Sequence, residues 1–532
     1  MKTMSHPRGL YLLSFTEMAE RFSYYGMRAI LTLYLASVFF TESDTSLLYG
    51  SFIGLIYLTP LVGGYIADKF WGNRRSIIVG GITMVIGQFL LFVSACIVKQ
   101  SIFEKNGLIS AYVDNSLPLV LMIMGLIALI LGNGFFKPCI STMVGDLYDN
   151  NDTKSSKAFN IFYMGINIGA LVSPILCGIL SKKGDWANPG AFKWGFFCAG
   201  VAMIISLIVF CIGKNKYLVS PEGKPIGMAP KKIIKAKDNI TEEKRSKNSP
   251  VRLCVCILGG VILTILFSLN AQNYNDYISA IIYAACIVLP VLIITDKGLT
   301  KQEKKKIGVI YIIAAVSIVF WALYEQAGSS LTFIADSQCD RLIGNFEFKT
   351  AWLQSINPLA VILVTIPLTK LWEYLQKRNR EPSIPAKTGI GLIIMSLGYL
   401  FIAYGSDGVS ETNKLSMWWI WGLYIIHAIS EMCLSPVGLD MVTKLSPARF
   451  TSLIMGVWFM SSAVSGILSG KLATYHPTAE EPIHYFLGME ISSLTSFFMI
   501  FAMLGAIAGI ILLALSPRLT KMMGGSECQV VK

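Results

Sequence analysis

Between two long apolar stretches the chain reads GYIADKFWGNRR at residues 64–75. Glycines at both ends of this stretch allow a tight turn and a close approach of neighbouring helices. Asp68 lies near the predicted end of the first apolar helix, and Arg74 and Arg75 begin the second. A carboxylate at a helix end beside several cations suits a latch between two helices. We therefore expect these three residues to have a conformational role.

The composition outside this stretch excludes most classes of soluble protein. Of 532 residues, 54% are hydrophobic and 14% are charged, whereas roughly 25% of an average soluble protein is charged. The hydrophobic share is about 287 residues, enough for about fourteen helices of roughly 20 apolar residues each. A soluble enzyme, a disordered scaffold and a nucleic-acid-binding protein are therefore excluded.

The sequence predicts an all-α membrane protein with 14 transmembrane helices. The predicted apolar segments are 10–39, 47–68, 76–98, 118–144, 158–180, 194–213, 251–269, 278–295, 307–333, 351–372, 388–405, 417–442, 450–473 and 491–515. Each is near or above the length that crosses a bilayer. The first is not a signal peptide, because it contains four charged residues and no small-residue cleavage site follows a short apolar core.

Positive charge is concentrated in alternate connections. The net charge is +13, and its largest share lies in the connection at 214–250. The loop at 181–193 is the main exception, with three lysines on the opposite side. Because basic loops stay in the cytoplasm, we expect a multi-pass protein of the inner (cytoplasmic) membrane with both termini cytoplasmic. The basic residues are also expected to contact anionic lipids.

The basic connection divides the predicted helices into six, two and six. We predict an N-terminal six-helix bundle at 1–213, a basic cytoplasmic linker at 214–250, an inserted transmembrane hairpin with its connector at 251–306, and a C-terminal six-helix bundle with a short tail at 307–532. Two similar halves are typical of secondary transporters, whose substrate site lies between them. The sequence has no GxxxxGK[ST] loop for ATP.

The cysteines indicate neither a disulfide framework nor a metal site. Nine of the 11 fall inside apolar segments, and the sequence has no CxxC pair and no cluster of cysteine with histidine. Such residues are usually small buried apolar groups. No metal and no cofactor is expected.

Charged residues inside the spans are the strongest functional signal. Each costs roughly 2.5–3.5 kcal/mol at the bilayer centre, so it needs a partner or a purpose. At helical spacing the first span places four residues on one narrow stripe: Glu17, Arg21, Tyr24 and Arg28. Glu20 lies at the edge of this stripe. The acids and bases can compensate one another, but one helix rarely needs so many charges for stability alone.

Three further charges are isolated in other spans. These are Lys137, Glu325 and Glu431. The simplest hypothesis pairs a cation of the first half with an anion of the second: Arg28 with Glu325, and Lys137 with Glu431. Such pairs could break and form again as access alternates.

Uncharged polar and aromatic residues in the spans are open to two interpretations. Asn167 and Asn357 could be hydrogen-bonding contacts between helices or substrate contacts. His427, the only histidine in a span, is more typical of packing than of proton transfer. Aromatic residues such as Tyr57, Trp321 and Trp458 usually pack as well.

Several motifs resemble those of one known family. GxxxDxxxGxRR at 64–75 resembles the signature of the major facilitator superfamily. ExxERFxYYG, complete at 17–26, resembles that of the proton-dependent oligopeptide transporters. Supporting matches follow in order: Phe162-Tyr163 with Ile166-Asn167-Ile168-Gly169, Phe320-Trp321 with Glu325-Gln326 and Gly328-Ser329-Ser330, Asn357-Pro358, and Glu431 with Ser435-Pro436.

The resemblance implies the major facilitator fold, two six-helix bundles with 251–269 and 278–295 as an extra hairpin, and proton-driven symport of di- and tripeptides. Under it, the proton-coupling residues are Glu17, Glu20, Arg21 and Glu325. Arg28 and Lys137 would face the peptide carboxylate, and Glu431 with Asn167 and Asn357 would hold the amino terminus and backbone. The residues that match pocket-lining positions are Tyr24, Tyr57, Trp321, Ser435 and Trp458. Asp68, Arg74 and Arg75 would act in gating.

One position departs from the resemblance. Some relatives have a second glutamate just before the one that matches Glu325, whereas this chain has Tyr324. The resemblance therefore does not define the proton pathway at this position.

Other functions stay open as alternatives. The same fold could transport a peptide-like drug, nitrate or another anion, although Glu431 would repel an anion, or it could be a sensor that binds peptides without transport. An intramembrane enzyme would need a nucleophile with a positioned base, and the sequence shows no convincing partner for His427. We expect a transporter rather than an enzyme, a proton as the coupling ion, and a monomer.

Overall fold

The computed structural model describes residues 6–98, 116–148, 154–181, 189–229, 250–296, 298–410, 412–447, 450–478 and 483–524. Most of the predicted linker, residues 230–249, and the last residues of the tail, 525–532, lie outside these ranges. The chain forms two compact units. One comprises Met1–Pro230 with Ala327–Ile362, and the other Lys231–Gln326 with Leu363–Lys532.

Helices before the linker follow the predicted apolar segments. They are α1 (Arg8–Val38), α2 (Glu42–Ile66), α3 (Asn73–Ile97), α4 (Ser116–Gly145), α5 (Lys154–Leu180) and α6 (Lys193–Tyr217), with a π-helical turn at Ala67–Trp71 and a 3-10 turn at Pro189–Phe192. Thr41 caps α2 through its side-chain oxygen, which accepts from the backbone N–H of Asp44.

The later helices are interrupted where the apolar pattern is broken by polar residues. They are α7 (Pro250–Ser268), α8 (Tyr274–Ile294), α9 (Lys301–Tyr324), α10 (Ser330–Ser337), α11 (Ile356–Lys377), α12 (Ile384–Gly405), α13 (Met417–Leu445), α14 (Thr451–Ala473) and α15 (Leu494–Met523), with 3-10 turns at Glu325–Gly328 and Thr350–Ser355. Short strands fill the connections: β1 (Cys339–Asp340), β2 (Leu342–Ile343), β3 (Phe346–Glu347), β4 (Leu415–Ser416), β5 (His484–Phe486) and β6 (Met489–Ile491). β2 pairs with β3 and β5 with β6, both antiparallel.

The two halves of the sequence share four helix pairings. In the first unit α1 packs on α5 and α6, and α3 packs on α4 and α6. In the second unit α9 packs on α14 and α15, and α12 packs on α13 and α15. These pairings coincide when α9 is matched to α1 and α12 to α3. The expectation of two similar halves is therefore confirmed at the level of helix packing.

The inserted pair of helices packs on the rest of the second unit mainly through α8. α7 and α8 pack on each other, and α8 packs on α14 and α9. Lys471 Nζ at the end of α14 lies 3.3 Å from Asp276 Oδ1 in the first turn of α8. The outer face of α7 is apolar and exposed, with Leu258 at 61%, as expected for a helix that faces lipid.

By length and composition, twelve helices in the described part of the chain can cross a membrane. α1 is 31 residues long but contains the charged cluster, and the apolar helix at Cys254–Ser268 is shorter. The protein is therefore a multi-pass membrane protein, and the count of 14 spans stays a prediction. The domain boundaries also stay predictions, and α6 continues to Tyr217, beyond the predicted boundary at 213.

Candidate functional site

The charged residues of the α1 cluster contact one another. Arg21 Nε donates a hydrogen bond to Glu17 Oε1 at 2.7 Å, one helical turn away, and lies 3.2 Å from Glu20 Oε2. All three residues are buried, with Glu20 at 0% exposure. One guanidinium thus balances two carboxylates only in part. A second cation or a proton must compensate the remaining negative charge.

Lys137 on α4 supplies a further cation. It is close enough to Glu20 for an electrostatic interaction, and its Nζ atom lies 4.2 Å from the ring centroid of Tyr57 on α2. An ammonium over an aromatic face is attracted by the negative charge of the ring face. The structure therefore brings together Glu20, Lys137 and Tyr57, which lie on three different helices.

Arg28 lies two helical turns beyond the cluster, among tyrosines. Its guanidinium carbon is 5.9 Å from the ring centroid of Tyr25 and 5.8 Å from that of Tyr49. Tyr24 packs edge-on against Tyr25 at 5.2 Å between ring centroids. The residue is buried, so aromatic faces replace part of the water that the cation loses.

α5 reaches the cluster because Gly169 has no side chain. A Cβ atom at this position would lie 2.4 Å from the carbonyl oxygen of Met18 and 3.2 Å from Cβ of Arg21. The backbones of α5 and α1 thus approach closely at the height of the cluster. Asn167, two residues earlier, is buried and donates through Nδ2 to the carbonyl oxygen of Tyr163 at 2.9 Å.

The segment before α11 packs on the far end of α5. Ser355 Oγ donates to Leu171 O at 2.7 Å, Trp352 Nε1 to Ile175 O at 3.2 Å, and Lys349 Nζ to Gly178 O at 3.1 Å. Asn167 lies one turn before Leu171 and Asn357 two residues after Ser355. This contact therefore brings the two predicted amide ligands into the same region of the first unit.

Glu431 on α13 accepts a hydrogen bond from a residue that the resemblance marked only as a departure. The hydroxyl of Tyr324, the last residue of α9, donates to Glu431 Oε2 at 2.9 Å. His427, one turn before Glu431, is 1% exposed and packs among the rings of Tyr324, Tyr399 and Tyr424. Its surroundings match the interpretation as a packing residue.

The remaining predicted pocket residues of the second unit lie beside this contact or on α14. Trp321 packs edge-on against Tyr324 at 5.3 Å between ring centroids. Glu325 is buried in the 3-10 turn that follows α9. Trp458 packs on Gly438, where a Cβ atom would lie 2.2 Å from its ring. The side chain of Ser435 lies outside the described residues.

The proposed pairs Arg28–Glu325 and Lys137–Glu431 each join residues of different units, and they stay predictions. Within its own unit, each of Arg28, Lys137 and Glu431 has an aromatic neighbour: Tyr49, Tyr57 and Tyr324 respectively. The sequence did not predict these three pairings.

In the predicted latch at 64–75, the described contacts of the two arginines are with groups other than the Asp68 carboxylate. Arg74 is buried and donates to Ile226 O at 2.7 Å, Leu218 O at 2.6 Å and Asn215 Oδ1 at 3.2 Å. Asp68 is exposed in the π-helical turn, and Arg75 lies over the ring of Trp71 at 5.6 Å. Arg74 thus holds the segment after α6, and the gating role of the three residues stays a prediction.

The family of the chain follows from comparisons with known proteins. The sequence profile of the POT family matches residues 74–486. The di-/tripeptide transporter of Lactococcus lactis subsp. lactis is 30% identical over 97% of both chains. A crystal structure of a peptide transporter in complex with alafosfalin has a TM-score of 0.77 and 27% identity, covering 99% of this chain and 97% of that one. That of a POT family transporter with a thioalcohol-conjugated peptide has a TM-score of 0.75 and 27% identity, covering 97% and 98%.

These similarities extend over nearly the whole chain and over both units. The expected fold, the major facilitator fold of two helix bundles, is confirmed by the solved structures. The profile covers α3 to β5, and the relatives add α1 with its charged cluster. The chain is a member of the POT family of transporters.

Proposed function

We propose that the protein is a proton-coupled symporter that imports di- and tripeptides by alternating access. Family membership, the names of its relatives and the peptide bound to a similar transporter support this cargo. The observation on which the proposal depends is the buried cluster of Glu17, Glu20 and Arg21 in α1. Two buried carboxylates around one guanidinium leave a negative charge that a proton can neutralise.

The cluster suggests how a proton and a peptide carboxylate could be coupled. While Glu20 is ionised, it attracts both Arg21 and Lys137. A proton on Glu20 would remove that attraction and leave Lys137 available, with Arg28, for the carboxylate of a peptide. Release of the peptide would in turn favour loss of the proton. Glu325 is proposed as a further proton site.

Glu431 is proposed to bind the peptide's α-ammonium group, with Asn167 and Asn357 on its backbone. Tyr24, Tyr57, Trp321, Ser435 and Trp458 would line the space for variable side chains. Two carboxylates or two cations alone could not hold a zwitterion, so groups of both signs are required. A nitrate or similar anion would meet repulsion at Glu431.

The proposed topology has both termini in the cytoplasm and the chain in the inner membrane. Hydrogen bonds of Arg74 place the α2–α3 connection beside the segment after α6, as expected if both are cytoplasmic. Those of Lys349 and Trp352 place the connection before α11 at the end of α5, as expected if both are external. Lipids and protons are the proposed partners, and the proposed state is a monomer.

Uptake of labelled dialanine into proteoliposomes tests the function. We expect accumulation that requires an inward proton gradient and is abolished by an uncoupler. Counterflow without accumulation would indicate exchange without coupling. Binding without counterflow would indicate a sensor, and uptake of nitrate but not dialanine would indicate an anion transporter. Each of these three results would contradict the proposal.

A further inference from the structure

The hydroxyl of Tyr324 is held in place from several sides. Its ring is stacked on that of Phe320, with an interplanar angle of 17°, and contacts the rings of Trp321 and His427. Phe320 and His427 are buried. A tyrosine packed among three rings has few accessible rotamers, so its hydroxyl is directed at Glu431 before any ligand arrives.

The backbone on both sides of Tyr324 is fixed as well. Tyr399 donates through its hydroxyl to the carbonyl oxygen of Leu323 at 2.6 Å. The side-chain amide of Gln326 donates to Ser469 O at 3.1 Å and to Ser469 Oγ at 3.3 Å. The end of α9 is thus tied to α12 and α14 at the point where the helix changes into a 3-10 turn.

We propose that Tyr324 is a positioning residue, which orients the Glu431 carboxylate for a substrate ammonium group without adding a second carboxylate at position 324. This inference rests on the proposed function. The tyrosine hydroxyl donates to Oε2 and orients the carboxylate, whose remaining lone pairs can accept from an ammonium. A glutamate at position 324 would instead add a second carboxylate, which requires a proton or a second cation beside Glu431.

The selectivity follows from this arrangement. A carboxylate oriented in this way favours a ligand with one primary ammonium at its end, as in dialanine. Acetylation of that amine removes the charge and leaves a single amide N–H donor, so Tyr324 should have little effect on the binding of N-acetyl-dialanine. The effect of the hydroxyl should therefore depend on the amine of the ligand and on the carboxylate of Glu431.

The test compares Tyr324→Phe with Tyr311→Phe. Among the described residues the hydroxyl of Tyr311, on the same helix, has no hydrogen-bond partner, so its loss controls for the general effect of removing a tyrosine hydroxyl. Tyr324→Phe should raise the KM for dialanine about tenfold, with maximal uptake changed by less than about twofold. Tyr311→Phe should leave both constants unchanged. Competition by N-acetyl-dialanine should be the same for wild type and Tyr324→Phe.

A double-mutant cycle separates positioning from a purely structural role. In a Glu431→Gln background, Tyr324→Phe should change dialanine affinity by less than about twofold, because the carboxylate it orients is gone. An undiminished tenfold effect there, or an unchanged KM in the single variant, would overturn the positioning proposal while wild-type uptake upholds the proposed function. Wild-type protein that neither binds nor transports dialanine would overturn both.

Discussion

Arg21 Nε donates to Glu17 Oε1 at 2.7 Å across one turn of α1, and it lies 3.2 Å from Glu20 Oε2. The contact to Glu17 is the better hydrogen bond, whereas neither oxygen of Glu20 accepts one from the described part of the chain. Glu20 is therefore the carboxylate of the cluster that is less tightly held, and it is the one beside Lys137.

Glu20→Gln should abolish uptake that depends on the proton gradient and retain counterflow of dialanine. Glutamine has the shape of the protonated acid but cannot release a proton, so the coupled step stops while exchange continues. We expect gradient-driven uptake to fall by more than about tenfold. Proteoliposome uptake and counterflow measure the two activities separately.

Glu222→Gln is the matched control, because Glu222 is exposed and, among the described residues, pairs with Lys224 in the segment after α6. It should retain both activities. An equal loss of uptake and counterflow in Glu20→Gln would show that Glu20 has a structural role instead.

Gly169→Ala should lower the apparent melting temperature and the rate of uptake. The added Cβ atom would lie 2.4 Å from Met18 O, so α5 and α1 must move apart beside Arg21. Overpacking of this kind costs about 1–3 kcal/mol. Thermal unfolding in detergent, followed by uptake assays, measures the effect.

Gly308→Ala on α9 is the control for this change, because a Cβ atom there meets nothing within 4 Å. Alanine is the better helix former by about 0.8–1.0 kcal/mol, so the variant should be as stable as wild type or more so. A Gly169→Ala protein as stable as this control would mean that α1 and α5 can separate without penalty.

Arg74→Lys should loosen the segment after α6. The guanidinium bonds to two carbonyl oxygens and an amide oxygen, and a lysine ammonium lacks the fork geometry that reaches all of them. We expect faster hydrogen exchange in residues 218–227 and uptake reduced several-fold. Arg75→Lys, at an exposed position over Trp71, should change neither. Unchanged exchange in Arg74→Lys would contradict the anchoring role.

The sequence predicted the helices and the charged stripe because both depend on local spacing. A run of apolar residues defines a span, and an i, i+4 interval places Glu17 and Arg21 together. The sequence marked Asn167 and Asn357 as polar residues inside apolar spans, and only the resemblance assigned them a role as substrate ligands. Their common region depends on a contact between α5 and a 3-10 turn.

The partners of Arg74 and Glu431 could not be predicted in this way. Arg74 and Ile226 are 152 residues apart, and Tyr324 and Glu431 are 107 apart. In both cases one partner lies in an irregular segment or at a helix end. Hydrophobic periodicity does not predict side-chain contacts at such positions. The only available signal for Tyr324 was its departure from the pattern of some relatives.

Trp352→Phe and Ser355→Ala should release the segment before α11 from α5. Each variant removes one side-chain donor to a carbonyl oxygen of α5, at Ile175 and Leu171 respectively, and keeps most of the apolar contact. If alternating access separates these elements, their contact stabilises one state of the cycle, so the double variant should shift the population away from it. We expect faster hydrogen exchange in residues 350–355 and a change in maximal uptake with little change in KM.

Trp194→Phe, at an exposed tryptophan of α6, is the control and should leave exchange and uptake as in wild type. A double variant with wild-type exchange would show that these two hydrogen bonds are incidental to the packing of Trp352 against Gly178, and Gly178→Ala would then be the change that disturbs the contact.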